Sequence, residues 1–331
     1  MQVRFLVSWL LIAVIVTSNP LKSSTAQNGK PSLPLAVTTI HQFDLPFWAE
    51  NLAIRKNGQI LITRLDTPAL LQVDPTGSVP PITIKTWNAT SYKGALGITE
   101  TCDDIFNVLV AAPVDADFNK VSGTCSVFKI NMNTFSATSE GVIQSAATVT
   151  KVTDIPEANF FDGATTLDDD HILAADPHDG WVYKIDVITG KYSIVINDAK
   201  MKYTPDAEFQ LGVNGLKIKG PFLYWTNTAN STLNRIRIDA TGAPIGSSSV
   251  VASVGAPDDF VFKDDGTTWI MRNTEEQLSY LPFRSSTPIL VAGAETSTLL
   301  AGVTAGHFGR LEEDKHKLYL TTNGGKFYLV Y

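Results

Sequence analysis

Cysteine is nearly absent from this chain of 331 residues, which has two, and histidine is scarce at five. There is no Cys-x-x-Cys pair, no His-Glu-x-x-His and no Gly-x-Ser-x-Gly elbow, and no glycine loop suited to phosphate, so the chemistries those motifs carry have no vehicle. Basic residues are outnumbered, 26 Lys and Arg against 33 Asp and Glu for a formal charge of −7. That balance argues against a nucleic-acid partner, whose phosphates demand a basic face. No amphipathic helical stretch stands out. Beyond the N-terminus no long apolar run occurs, so no membrane association is expected once that first segment is gone.

The N-terminal segment has its own character. Arg4 precedes an apolar stretch from Phe5 to Val16, and small residues follow at Ser18 and at Ser24-Thr25-Ala26. This is the pattern of a secretory signal peptide over residues 1–26, too short to span a bilayer. The expectation is a protein of the secretory lumen or the exterior, with residues 27–331 as one domain. Export bears on Cys102 and Cys125, 23 positions apart. In an oxidising compartment they are expected to form a disulfide stabilising by roughly 3 kcal/mol. The sequons Asn88-Ala89-Thr90 and Asn230-Ser231-Thr232 fall in loops and become glycosylation candidates. Asp115-Ala116-Asp117 starts like a calcium loop, but Lys120 stands where its glycine belongs.

What the chain has in abundance is a repeat. Apolar runs open at Glu50, Gly97, Asp162, Asn214, Asp258-Asp259 and His307, at steps of 45 to 65 residues. Each is followed by a second run, such as Ile60-Leu61-Ile62-Thr63 or Phe222-Leu223-Tyr224-Trp225, and commonly by an alternating third, such as Trp181 to Asp186. β-branched and aromatic residues, alternation of period two, and turns such as Lys56-Asn57-Gly58 predict antiparallel strands. A period near 50 with several short strands predicts an all-β, six-bladed β-propeller of four-stranded blades. The last run, Lys326 to Tyr331, leaves blade six one strand short, and Ala36 to Phe43 is expected to close the ring as an N-terminal strand.

In such a ring the first strands line the channel and start at one face. Glu50, Gly97, Asp162, Asn214, Asp258, Asp259 and His307 then converge on one mouth, with Arg64, Asp176, Asn227, Asn273 and Asn323 as an outer ring at the ends of the second strands. Two carboxylates 5 Å apart repel by about 3 kcal/mol at an effective dielectric of 20, so a cation or retained protons must balance the inner ring. Oxygen donors of this kind suit calcium. The same Asp-Gly and Asn-Gly pairs also serve simply as turn formers. Trp48, Phe161 and Phe308 flank the inner ring, so the mouth is expected to be aromatic and to take small apolar substrates.

Glu50-Asn51-Leu52-Ala53-Ile54, Gly212-Val213-Asn214-Gly215-Leu216 and Pro257-Asp258-Asp259 resemble the metal-binding phrases of the senescence-marker-protein/gluconolactonase propellers. The resemblance covers residues 36–331 and implies a divalent ion on Glu50, Asn214 and Asp258. The family's Asn-Asp-Gly phrase appears here as Phe161-Asp162-Gly163, a departure from a sugar-lactone pocket. The phrases around Glu50, Asn214 and His307-Phe308-Gly309-Arg310, with the closing Thr321-Thr322-Asn323-Gly324-Gly325, also resemble secreted fungal hetero-Diels–Alderases of tropolone-sesquiterpenoid biosynthesis. That resemblance implies a reaction joining a tropolone-derived quinone methide to a humulene-type olefin. Glu50, Asp162, Asp259 and His307 are then the expected catalytic groups, with Trp48, Phe161 and Phe308 against the substrate. A metal-dependent lactonase or esterase is the alternative, and a non-catalytic binding propeller a third.

Overall fold

A computed structural model describes residues 10–17, 33–112, 114–115, 123–295 and 298–324. The strand runs assemble into six four-stranded antiparallel sheets, the blades of a propeller. Five blades are each continuous in sequence. Blade one holds Ala49–Ile54, Ile60–Arg64, Ala69–Val73 and Ile82–Thr86. Blade two holds Gly94–Cys102, Ile105–Ala111, Cys125–Asn131 and Thr148–Ile155. Blade three runs from Ala164–Asp168 to Tyr192–Ile196, blade four from Val213–Lys219 to Pro244–Ser253, and blade five from Pro257–Phe262 to Ile289–Gly293. Among the described residues there is no α-helix, and no helix is long and apolar enough to cross a membrane.

Blade six is composite. Its inner strands Val303–Phe308 and Lys317–Thr322 are completed by Leu10–Thr17 and, outermost, Ala36–Asp44. The expected closing strand at Ala36 is present, but a second N-terminal strand lies inside it. Leu10–Thr17 falls within the segment read as a signal peptide, and it pairs with Val14 opposite Leu320 and Thr17 opposite Lys317. Its β-branched content gives it the propensity of a strand. The run Lys326 to Tyr331, expected in that third position, lies outside the described residues.

Apolar residues sit on both faces of each blade, so the core consists of six seams. Leu61 and Leu70 meet Phe106 and Val108 between blades one and two; Leu109 and Cys125 meet Ile172 and Tyr183 between two and three. The ring is closed where Thr304 Oγ1 of blade six donates to the Ala49 carbonyl of blade one at 2.8 Å. A buried ion pair fastens blades one and two: Arg55 Nε lies 2.9 Å from Asp104 Oδ1, while its terminal nitrogens reach Gln72 Oε1 at 2.7 Å and the Met132 carbonyl at 3.2 Å.

The expected disulfide is absent. Cys102 ends the inner strand of blade two and Cys125 opens the third, with Ile105–Ala111 running between them from one face of the ring to the other. A seven-residue strand is about 20 Å long, whereas bridged cysteines need Cα atoms within roughly 7 Å. Cys102 is exposed, its Sγ 3.8 Å from the Asp169 carbonyl, and Cys125 is buried in the seam towards blade three. Both sequon asparagines, Asn88 and Asn230, are exposed.

Candidate functional site

One local device recurs around the channel. In five inner strands two residues oppose one on the neighbouring strand: Glu50-Asn51 face Thr63, Leu96-Gly97 face Leu109, Asn214-Gly215 face Thr226, Asp258-Asp259 face Met271, and Thr304-Ala305 face Thr321. Such a bulge bends the strand and re-aims a side chain. Blade three gains the same shape just ahead of its inner strand, where Asp162 N–H and the Gly163 carbonyl bond Ala175 at 3.1 and 2.9 Å. Threonine hydroxyls hold several bulges: Thr63 Oγ1 accepts from Asn51 N–H at 3.0 Å and Thr226 Oγ1 from Gly215 N–H at 2.9 Å.

The glycines of Asp162-Gly163 and Asn214-Gly215 are therefore not turn formers. Neither has a positive φ. A Cβ on Gly163 would lie 2.4 Å from the Asn214 carbonyl oxygen, and one on Gly215 would lie 2.3 Å from Asp259 Oδ1. Glycine is needed because each blade's bulge abuts the next, and that approach gathers the polar side chains.

Glu50, Asp162 and Asp258 meet at the mouth, each offering a carboxylate oxygen within 4.8 Å of the others. Burial, then the nearness of Asp258 and Asp162, holds the Glu50 carboxyl well above its usual range. Burial, then Asp258 and Asp259, does the same to Asp162, with Lys217 opposing. Burial and the adjacent Asp259 push Asp258 up to about 7, against two amides that stabilise its charge. Those are Asn214 Nδ2 at 2.9 Å from Oδ1 and Asn273 Nδ2 at 3.0 Å from Oδ2. Trp48 donates its indole N–H to Glu50. Three hard carboxylate donors gathered at one point are of the kind that suits a divalent ion such as calcium. Asp162 stands beside the expected Glu50 and Asp258, and Asn214, the third expected ligand, adjoins them through its Nδ2 contact with Asp258.

Of the outer ring, Asn273 reaches the trio through Asp258. Asp176 is fully buried and accepts backbone N–H groups from Asn159 at 2.8 Å and from His178 and Asp179 at 3.1 Å. It thereby anchors the loop that carries Asp162. Arg64 pairs with Asp66, and Asn227 donates to the Lys200 and Lys202 carbonyls, each at 3.0 Å.

Below the trio the channel opens into a cavity of about 210 Å³, lined among others by Lys217, Asp259, His307, Phe106 and Arg310. His307 does not belong to the mouth. Thr304 holds the bulge of blade six, and His307 lies three positions further along, its Nδ1 2.6 Å from the Phe308 carbonyl. Burial lowers its pKa, and the charges of Lys217 and Arg310 act in the same direction. Asp259 points to Lys217 Nζ, at 2.9 and 3.0 Å from its two oxygens. At the strand ends, Arg310 pairs with Glu100 at 2.5 Å and donates to the Ile54 carbonyl at 2.9 Å. Lys217 escaped the sequence reading, although a lysine set between Leu216 and Ile218 on an inner strand was its visible signal.

The aromatic mouth is largely not formed. Phe161 is fully buried between blades two and three, edge-on to Tyr183 at 5.8 Å between centroids. Phe308 packs in the seam of blades five and six, edge-on to Trp269 at 5.9 Å. Strand alternation explains the second: His307 takes the channel side of Val303–Phe308, so the adjacent Phe308 faces the seam. Of these three aromatics, Trp48 touches the acid trio, through Glu50.

No family model matches the chain. It is 27% identical over 346 residues to a Sarocladium schorii protein named as a hetero-Diels-Alderase, covering 94% of this chain and 83% of that one. It is likewise 27% identical over 347 residues to a hetero-Diels-Alderase by name from a Phoma species, covering 97% and 95%. Among solved structures, regucalcin from Agrobacterium tumefaciens, described as a calcium-binding protein, superposes with a TM-score of 0.52 at 15% identity, over 85% of this chain and 92% of that one. At that identity the likeness is one of fold.

Proposed function

We propose that this protein is a hetero-Diels–Alderase of secondary metabolism, joining a quinone methide derived from a hydroxymethyl tropolone to a humulene-type olefin. The observation that carries the reading is the similarity, over nearly the whole chain, to two proteins named for that reaction type. The site chemistry is compatible. Glu50 and Asp162, held above the usual carboxyl range, retain protons that an ordinary carboxyl would release. A carboxyl proton passes to the departing hydroxyl as its C–O bond breaks, the ring hydroxyl gives its own proton to a base, and water leaves. The cycloaddition itself then needs no proton transfer. Holding the partners in a near-attack arrangement contributes on the order of 7 kcal/mol to lowering the barrier.

The carboxylate trio favours a second reading, a metal-dependent lactonase or esterase. There a divalent ion on Glu50, Asp162 and Asp258 would polarise the carbonyl and activate water. The two readings part in one experiment. The protein is incubated with sugar lactones and aryl esters, and separately with a hydroxymethyl tropolone plus humulene. The pericyclase reading expects cycloadduct formed faster and with cleaner stereochemistry than in buffer, and no lactone turnover. Lactone hydrolysis abolished by Glu50→Gln would replace it with the hydrolase.

A further inference from the structure

We propose that the channel cavity beneath the carboxylate trio binds a planar ring carrying adjacent hydroxyl and carbonyl oxygens, with His307 Nε2 accepting the hydroxyl proton and Lys217 Nζ donating to the carbonyl. The inference rests on the reaction proposed above and assigns its tropolone half to a defined place.

Three features carry it. The first is the tautomer of His307. Its Nδ1 lies 2.6 Å from the Phe308 carbonyl, which can only accept, so Nδ1 carries the proton and the neutral ring leaves Nε2 as an acceptor. No described residue supplies a hydrogen bond to Nε2, and the ring lines the cavity. The second is the ammonium of Lys217. Its two contacts with Asp259 leave one N–H for a further acceptor in the same cavity. An acceptor and a charged donor thus share one small space, which is the complement of a vicinal hydroxyl and carbonyl. The third is size. A cavity of about 150 Å³ holds a benzene ring, so about 210 Å³ admits one seven-membered ring between Ile54, Ile98 and Phe106. It is below the 300–1,000 Å³ or so of sites that enclose a drug-sized molecule. The olefin must therefore meet the ring from outside the cavity.

Unsubstituted tropolone is the probe, because without a hydroxymethyl group it cannot form the quinone methide and its binding is read without turnover. Calorimetric titration of the intact protein is expected to show one site. His307→Leu and Lys217→Met should each weaken it about tenfold or more, as for a lost buried hydrogen bond, while Lys217→Arg stays near wild type. In ¹⁵N NMR the Nε2 resonance of His307 should move on adding tropolone. If Lys217→Met fails to fold, His307→Leu and the resonance decide. Binding unchanged in His307→Leu with an unmoved resonance overturns the proposal. So does binding lost in Glu50→Gln but kept in His307→Leu, which puts the ring on the acid trio by chelation. The two levels separate cleanly. Cycloaddition without His307-dependent tropolone binding sinks this site and leaves the reaction; His307-dependent binding without cycloaddition keeps the site and sinks the reaction.

Discussion

Asn214 Nδ2 lies 2.9 Å from Oδ1 of Asp258, across the seam between blades four and five. With Asn273 on the other oxygen at 3.0 Å, the Asp258 carboxylate is held by two neutral amides in the company of Glu50 and Asp162. Amides stabilise its charge less than burial and Asp259 destabilise it, which leaves the group titrating near neutrality.

A pH dependence of stability follows. The pKa of Asp258 rises from an ordinary 3.8 to about 7 on folding, so between those values the folded chain holds a proton that the unfolded chain has released. The Asp258 contribution to stability should fall as pH rises from about 4 to about 7, and Glu50 and Asp162, also held high by burial, act in the same direction. Asp176, pushed to about 7 mainly by burial, acts in the same direction. Melting temperatures across this range should decline, and Asp258→Asn should flatten the decline in part. A rising curve would contradict the assignment.

The carboxylate trio predicts a calcium effect. At neutral pH a ligand at 100 times its Kd stabilises by about 2.7 kcal/mol. Added calcium should raise the melting temperature, a chelator should lower it, and Glu50→Gln should abolish both. Purified protein without stoichiometric divalent metal, and indifferent to added calcium, would leave the trio to proton chemistry alone.

Phe161 is a packing residue in this structure. Phe161→Ala should cost about 3–5 kcal/mol by cavity formation, and Phe161→Leu clearly less. Any activity should keep its KM in the leucine variant. A large KM change without loss of stability would return Phe161 to the substrate.

The cysteines should behave independently. Protein from a secretory host should show two titratable thiols once denatured. Cys102→Ser should fall within about 0.5 kcal/mol of wild type, as surface changes do, whereas Cys125→Ser should cost about 1–3 kcal/mol for burying a hydroxyl. A Cys102–Cys125 peptide in a non-reducing map would refute this.

Blade six has one third-strand position, filled by Leu10–Thr17. If residues 1–26 are removed as a leader, the sequence offers Lys326 to Tyr331 for that position. A chain starting at Gln27 should then fold cooperatively, and further deletion of 326–331 should lower its melting temperature sharply. Failure of the shortened chain to fold would tie the N-terminal strand to the mature ring.

The six-fold repeat was legible in the chain because strand alternation, turn residues and a period near 50 are local properties. So was the convergence of Glu50, Asp162, Asn214 and Asp258, since inner strands that start at one face must bring their first polar residues together. Two expectations failed for different reasons. Predicted export suggested a Cys102–Cys125 bond, but a strand spans the pair; the repeat spacing put His307 in line with the other openings, but a three-residue offset sends it into the channel. Which member of each aromatic–polar pair faces the channel was likewise settled only by folding, because a bulge of one extra residue resets the alternation. The sequence by itself determined the ring and its acids. The tertiary structure decided their company, because the three acids come from blades one, three and five, at positions 50, 162 and 258, and only ring closure brings them within reach of one another and of Asn214.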